Sequence, residues 1–120
     1  MDIEPAHHSP IPPKWRKTVC SILRAGRKSE ILVRKRPQED FSALFPDAWA
    51  YQRNDAMARA LDGPTVMGAL KTGMLEPGET WAFWFHFREK KLYGKINLTP
   101  TGKLIIIYSA HLPNKGETHL

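Results

Sequence analysis

The stretch Thr80–Ala110, TWAFWFHFREKKLYGKINLTPTGKLIIIYSA, decides the fold. Its first segment alternates Trp81, Phe83, Phe85 and Phe87 with Ala82, Trp84, His86 and Arg88. Its second alternates Leu92, Gly94, Ile96 and Leu98 with Tyr93, Lys95, Asn97 and Thr99, and a third segment runs Leu104–Ala110. A period of two marks strands buried on one face. The joints Glu89–Lys91 and Pro100–Gly102 are too short for a crossover helix, so the three strands must be antiparallel neighbours. The meander then buries Trp81, Phe83, Phe85 and Phe87 and turns the alternate residues outward.

Upstream the period changes. Trp15, Val19, Ile22 and Leu23 fall on one helical stripe, with Lys14, Arg16, Lys17 and Arg24 on the remaining surface. Pro13 or Lys14 opens this helix and Gly26 stops it. Ile31 and Val33 suggest a strand ended by Pro37, which gives the sheet a possible fourth member. Asp40–Phe45 reads as a helical turn. Asp47 is a good cap for a helix through Leu61, with Trp49, Ala56, Met57, Ala60 and Leu61 on its buried face. Gly63–Pro64 breaks the chain, and Thr65–Thr72 reads as a short helix around Val66, Met67 and Leu70. Helices first and meander last predict an α+β fold: N-terminal helices packed on a C-terminal antiparallel β-meander of three to four strands. Residues 1–13 contain Pro5, Pro10, Pro12 and Pro13 and read as a flexible arm, which leaves 14–120 as a single domain.

Composition narrows the function classes. A chain of 120 residues with 42% hydrophobic and 25% charged residues matches an ordinary globular domain, not a coiled coil or a disordered chain. The longest apolar runs are too short to span a bilayer, so no membrane role is expected. The single cysteine, Cys20, excludes an internal disulfide and a Cys-based zinc site, and it reads as an inert, half-buried thiol. With no signal-peptide pattern, a cytoplasmic setting is the expectation. No phosphate-cradling glycine loop or dinucleotide fingerprint occurs, so no cofactor is expected; His7–His8 lacks a third ligand at useful spacing, so no metal is expected either.

Charge points to a polyanion. The net charge is +6, and residues 14–36 hold nine of the eighteen Lys and Arg against one acid, Glu30. Residues 88–120 add six basic residues against two acidic ones. Such clustering is the electrostatic footprint of nucleic acid, although a solvated helix face and a charge-protected edge strand produce it too. The nucleic-acid reading takes Arg16, Lys17, Arg34, Lys35 and Arg36 from the first block. It takes Trp84, Arg88 and Tyr93 from the outward sheet face, where cations hold phosphates and aromatic rings stack on bases.

The same face carries groups able to do chemistry: His86, Lys95, and either Tyr108 or Ser109 with His111. A two-residue turn at Thr101–Gly102 places Tyr108 opposite Lys95, and a one-residue shift brings Ser109 and His111 to that face instead. His86 or His111 can transfer protons, and Lys95 and Arg88 can stabilise a charged phosphorane. Carboxylates are scarce there; a general base would have to come from Glu76 or Glu79.

The stretch ETWAFWFHFREKKLYGKINLTPTGKLIIIYSAHLPNKG, about a third of the chain, resembles the small bacterial ribonuclease toxins of the barnase, colicin-nuclease and RelE-like group. The resemblance implies RNA cleavage and a cognate antitoxin as partner, an acidic antitoxin or another protein; with no convincing metal ligands, the cleavage is expected to be metal-independent. It maps catalytic roles by strand position onto His86, Lys95, Tyr108 and His111. The strand near residue 31 and the Pro-rich arm depart from that pattern. Two other functions compete: a non-catalytic nucleic-acid-binding module, and an interaction or accessory domain whose basic block meets an acidic protein.

Overall fold

A computed structural model describes residues 8–113. Residues 1–7 of the expected arm, His7 among them, and the tail from 114 lie outside the described residues. The chain is α+β. Three helices, α1 (Pro13–Ala25), α2 (Lys35–Leu44) and α3 (Ala50–Leu61), lie with six strands: β1 (Ser9–Pro10), β2 (Ile31–Val33), β3 (Met67–Lys71), β4 (Glu79–Phe87), β5 (Lys90–Leu98) and β6 (Ile105–His111). They form one sheet in the order β1-β3-β4-β5-β6-β2, so an expectation of three to four strands undercounts it. All pairings are antiparallel except β2 with β6, which is parallel.

The meander is β4–β6. Trp81, Phe83, Phe85, Leu92, Ile96, Ile105 and Ile107 are buried on the face that meets the helices. The turn between β4 and β5 is Arg88–Glu89, with φ of 48° and 67°, the doubly positive geometry that fits the twist of a tight hairpin. Against this sheet α3 packs on β4 and α2 on β6, while α1 packs on α3. Helix α1 ends where Gly26 takes a left-handed φ of 65° and returns its N–H to the Ile22 carbonyl.

Four readings of the upstream chain need correction. Thr65–Thr72 is not a helix; Met67–Lys71 is strand β3, paired to β1 on one side and β4 on the other. A Cβ at Gly68 would lie 2.6 Å from the Ala82 carbonyl oxygen, so the close approach of β3 to β4 requires glycine there. Pro37 does not merely end a strand. It lies in the first turn of α2, where a missing N–H costs nothing, and α2 is a full helix rather than a turn. Asp47 does not cap α3. That helix starts after Trp49, whose N–H donates to Gln52 Oε1 at 2.9 Å, and the Trp49 side chain is 68% exposed rather than in the core. Arg16 is not on the surface. It is buried, and its guanidinium donates to the carbonyls of Ile11, Leu61 and Gly63 at 2.8–3.1 Å, which satisfies acceptors left open around the end of α3. Within the Pro-rich segment, Ser9–Pro10 pairs with β3 and Ile11 is fully buried.

Candidate nucleic-acid interface

The outer sheet face is built by the alternation of β4–β6. Trp84 pairs with Tyr93, Tyr93 pairs with His111, Ala82 pairs with Lys95, and Lys95 pairs with Ser109. Directly paired side chains share a face, so Tyr93, Lys95, Ser109 and His111 form a quartet on two adjacent strands. A register shift beside Lys95–Ile96 inserts one extra residue into β6 at Tyr108. This bulge resolves the two registers left open by the sequence: Ser109 and His111 face Lys95 and Tyr93, and Tyr108 is added beside them.

Rings cross this face in a row. Trp84 meets Tyr93 edge-on at 5.8 Å between centroids, and Tyr93 stacks on His111 at 5.5 Å with planes 21° apart. The Lys91 ammonium lies 4.5 Å from the Trp84 ring centroid and caps the row with a cation. The sequence-based candidates omit Lys91, although the alternation of Tyr93 and Lys95 reaches it two residues upstream of Tyr93. His111 Nδ1 lies 2.6 Å from the Leu112 carbonyl oxygen. A carbonyl only accepts, so Nδ1 carries the proton and the lone pair of the neutral ring is on Nε2.

Next to His111 a cavity of about 490 Å³ opens between β6 and α2, lined by Arg36, Asp40, Tyr108, Ser109 and His111 among others. Arg36 Nε is 4.0 Å from Asp40 Oδ2, a loose pair on successive turns of α2. Asp40 therefore puts a carboxylate near His111 where the sequence suggested only Glu76 or Glu79. Both of those are engaged elsewhere: Glu79 Oε2 accepts from Trp81 Nε1 at 2.6 Å, and Glu76 pairs with Arg34.

The remaining candidates do not gather at the His111 end. His86 pairs with Lys91 and so shares this face, but at the far end of the row, where it is exposed and also lines a separate cleft of about 890 Å³ with Arg24, Tyr51, Arg59 and Arg88. Arg88 donates to Asp47 Oδ1 at 2.7 Å and lies over the Phe45 and Phe87 rings; this hydrogen bond holds the Asp47 carboxyl below its ordinary range. Arg16 is structural, as above, while Lys17 is exposed on α1. Arg34, Lys35 and Arg36 lie where β2 passes into α2, at the opposite edge of the sheet from β3. The basic block of residues 14–36 is thus divided between α1 and the β2–α2 edge. Its second half comes near the His111 end: the Arg34 guanidinium lies 5.7 Å from the Tyr108 ring centroid, and Arg36 lines the cavity beside His111.

Among the described residues no group of three His, Cys, Asp or Glu is placed to hold a metal ion, and no helix is long and apolar enough to cross a membrane. No protein-family model matches the chain, and no curated protein or solved structure matches it either.

Proposed function

We propose that this protein binds single-stranded RNA across the outer face of β4–β6 and cleaves it without a metal ion. The observation that carries the reading is the row Lys91–Trp84–Tyr93–His111, which sets a cation at one end of three contiguous rings over three adjacent strands. RNA bases stack on the half-buried Trp84 and His111 rings, with the buried Tyr93 ring supporting them from between, while Lys91, Lys95 and Arg34 attract its phosphates. At the His111 end, His111 Nε2 takes the proton of a ribose 2′-hydroxyl as that oxygen attacks phosphorus. The P–O5′ bond breaks, and Tyr108 gives a proton to the departing O5′. The products are a 2′,3′-cyclic phosphate and a 5′-hydroxyl. Lys95 supplies charge to the phosphorane. His86 has no part in this step, because it stands opposite Lys91 on β4, with β5 between it and His111.

The test is incubation of purified protein with a mixed-sequence RNA in excess EDTA. The account expects cleavage to 2′,3′-cyclic ends, lost in His111→Ala. A protein that binds the RNA but leaves it intact would be the non-catalytic module. That second reading is favoured by one observation: of the two histidines on this face, only His111 lines a cavity with Tyr108, while His86 stands opposite Lys91 at the far end.

A further inference from the structure

The connection between β3 and β4 does not stay at its own edge. Strands β4, β5 and β6 separate β3 from β2, yet Glu76 of this connection forms an ion pair with Arg34, the residue that follows β2. The path is fixed at its near end by Gly78, whose φ is 121°; a Cβ there would lie 2.3 Å from the Leu98 carbonyl oxygen and about 3.0 Å from the Asn97 side chain. Asn97 points to the outer face, where it donates to Thr80 Oγ1 at 2.8 Å. Residues 72–78 therefore form a strap across the outer face, pinned at the far edge to Arg34.

The pin is poorly matched to its seat. Glu76 Oε2 meets Arg34, but Glu76 Oε1 is buried with no hydrogen-bond partner, and so is the hydroxyl of Tyr108, whose ring lies under the Arg34 guanidinium. A planar carboxylate leaves both groups unanswered. A tetrahedral phosphodiester offers acceptors in more directions, so it can take a guanidinium and a phenol at once. From this mismatch we propose that the Arg34–Tyr108 notch is a phosphate subsite that Glu76 occupies in the free protein, so that phosphate and the strap compete for Arg34. The proposal rests on the RNA reading for its natural ligand, but the notch itself is tested with a simple anion.

The experiment measures binding of inorganic pyrophosphate and of a fluorescein-labelled octaribonucleotide to the full chain and to four variants. Glu76→Gln removes the competitor and should tighten both ligands by about three- to tenfold, as expected if the open notch is populated a third to a tenth of the time. Gly78→Ala lifts the strap from Leu98 and should tighten them in the same direction. Glu39→Gln, an exposed carboxylate on α2, controls for the loss of one negative charge and should change little. In Arg34→Gln/Glu76→Gln the gain should vanish, because it acts through Arg34. A gain for pyrophosphate without any RNA binding by the parent would uphold the notch and reject the RNA reading. No gain in either Glu76→Gln or Gly78→Ala, with both folded by their melting curves, would overturn the proposal. So would a gain that survives loss of Arg34.

Discussion

Tyr93 lies flat against His111, from the strand next to it, with ring centroids 5.5 Å apart. The Tyr93 ring is nearly fully buried, so it fixes the plane in which the imidazole stands and thereby the direction of Nε2. In the proposed reaction Tyr93 is then a positioning residue. Tyr93→Phe should keep RNA cleavage close to the parent, whereas Tyr93→Leu should lower kcat by about tenfold or more while leaving KM less changed. A change in KM with none in kcat would show that Tyr93 supports RNA binding and does not act through His111.

Arg16 is expected to matter for folding and not for nucleic acid. Arg16→Ala leaves the Ile11, Leu61 and Gly63 carbonyls without their donor and should cost about 3 kcal/mol. Lys17→Ala, one residue on and exposed, should change stability by less than about 0.5 kcal/mol. Urea melts of the two variants check this; equal midpoints would show that the buried guanidinium is dispensable.

The β4–β5 turn carries strain that glycine relieves. Glu89 sits at φ 67°, a left-handed conformation that costs an ordinary L-residue about 1 kcal/mol. Glu89→Gly should raise the melting temperature by a few degrees, against the usual destabilising effect of glycine. Arg88 at φ 48° is not a comparable target, because its ion pair with Asp47 would be lost with it.

Much of the sheet was legible because β4–β6 are long and strictly alternating, with core residues large enough to leave one solution. Strand β3 was not: Met67-Gly68-Ala69-Leu70 has no β-branched residue, and its strand character comes from its neighbours on both sides, with Gly68 chosen for contact with Ala82. Helix α2 was hidden by Pro37, which reads equally as a strand terminator and a first-turn residue. At the candidate site the alternation identified Trp84, Tyr93 and Lys95. It could not choose between Tyr108 and His111, since a bulge satisfies both and leaves no mark in the periodicity. Linear clustering of charge misled for Arg16, because two of the three carbonyls it serves lie 45 and 47 residues away.

Cys20 is buried between α1 and α3, its Sγ 3.4 Å from the Ala58 carbonyl oxygen, and burial raises its pKa above the ordinary 9.0. The native thiol thus holds its proton at a pH where the unfolded thiol has lost it. The native state binds more protons there, so stability falls as pH rises above about 9. Alkylation by iodoacetamide at pH 8 should be at least ~100-fold slower in the native protein than in denaturant, since openings that expose the thiol are rare. Cys20→Ala should flatten the alkaline fall in stability. Rapid native alkylation would place Cys20 at the surface.

The most direct test of the central claim follows the indole N–H signals during titration with an octaribonucleotide. Trp84 belongs to the ring row, while Trp49 stands 68% exposed at the start of α3 and serves as an internal control. The account predicts that the Trp84 signal shifts in proportion to bound RNA and that the Trp49 signal does not move. A shift of Trp49 with Trp84 unchanged, or no shift of either, would contradict it.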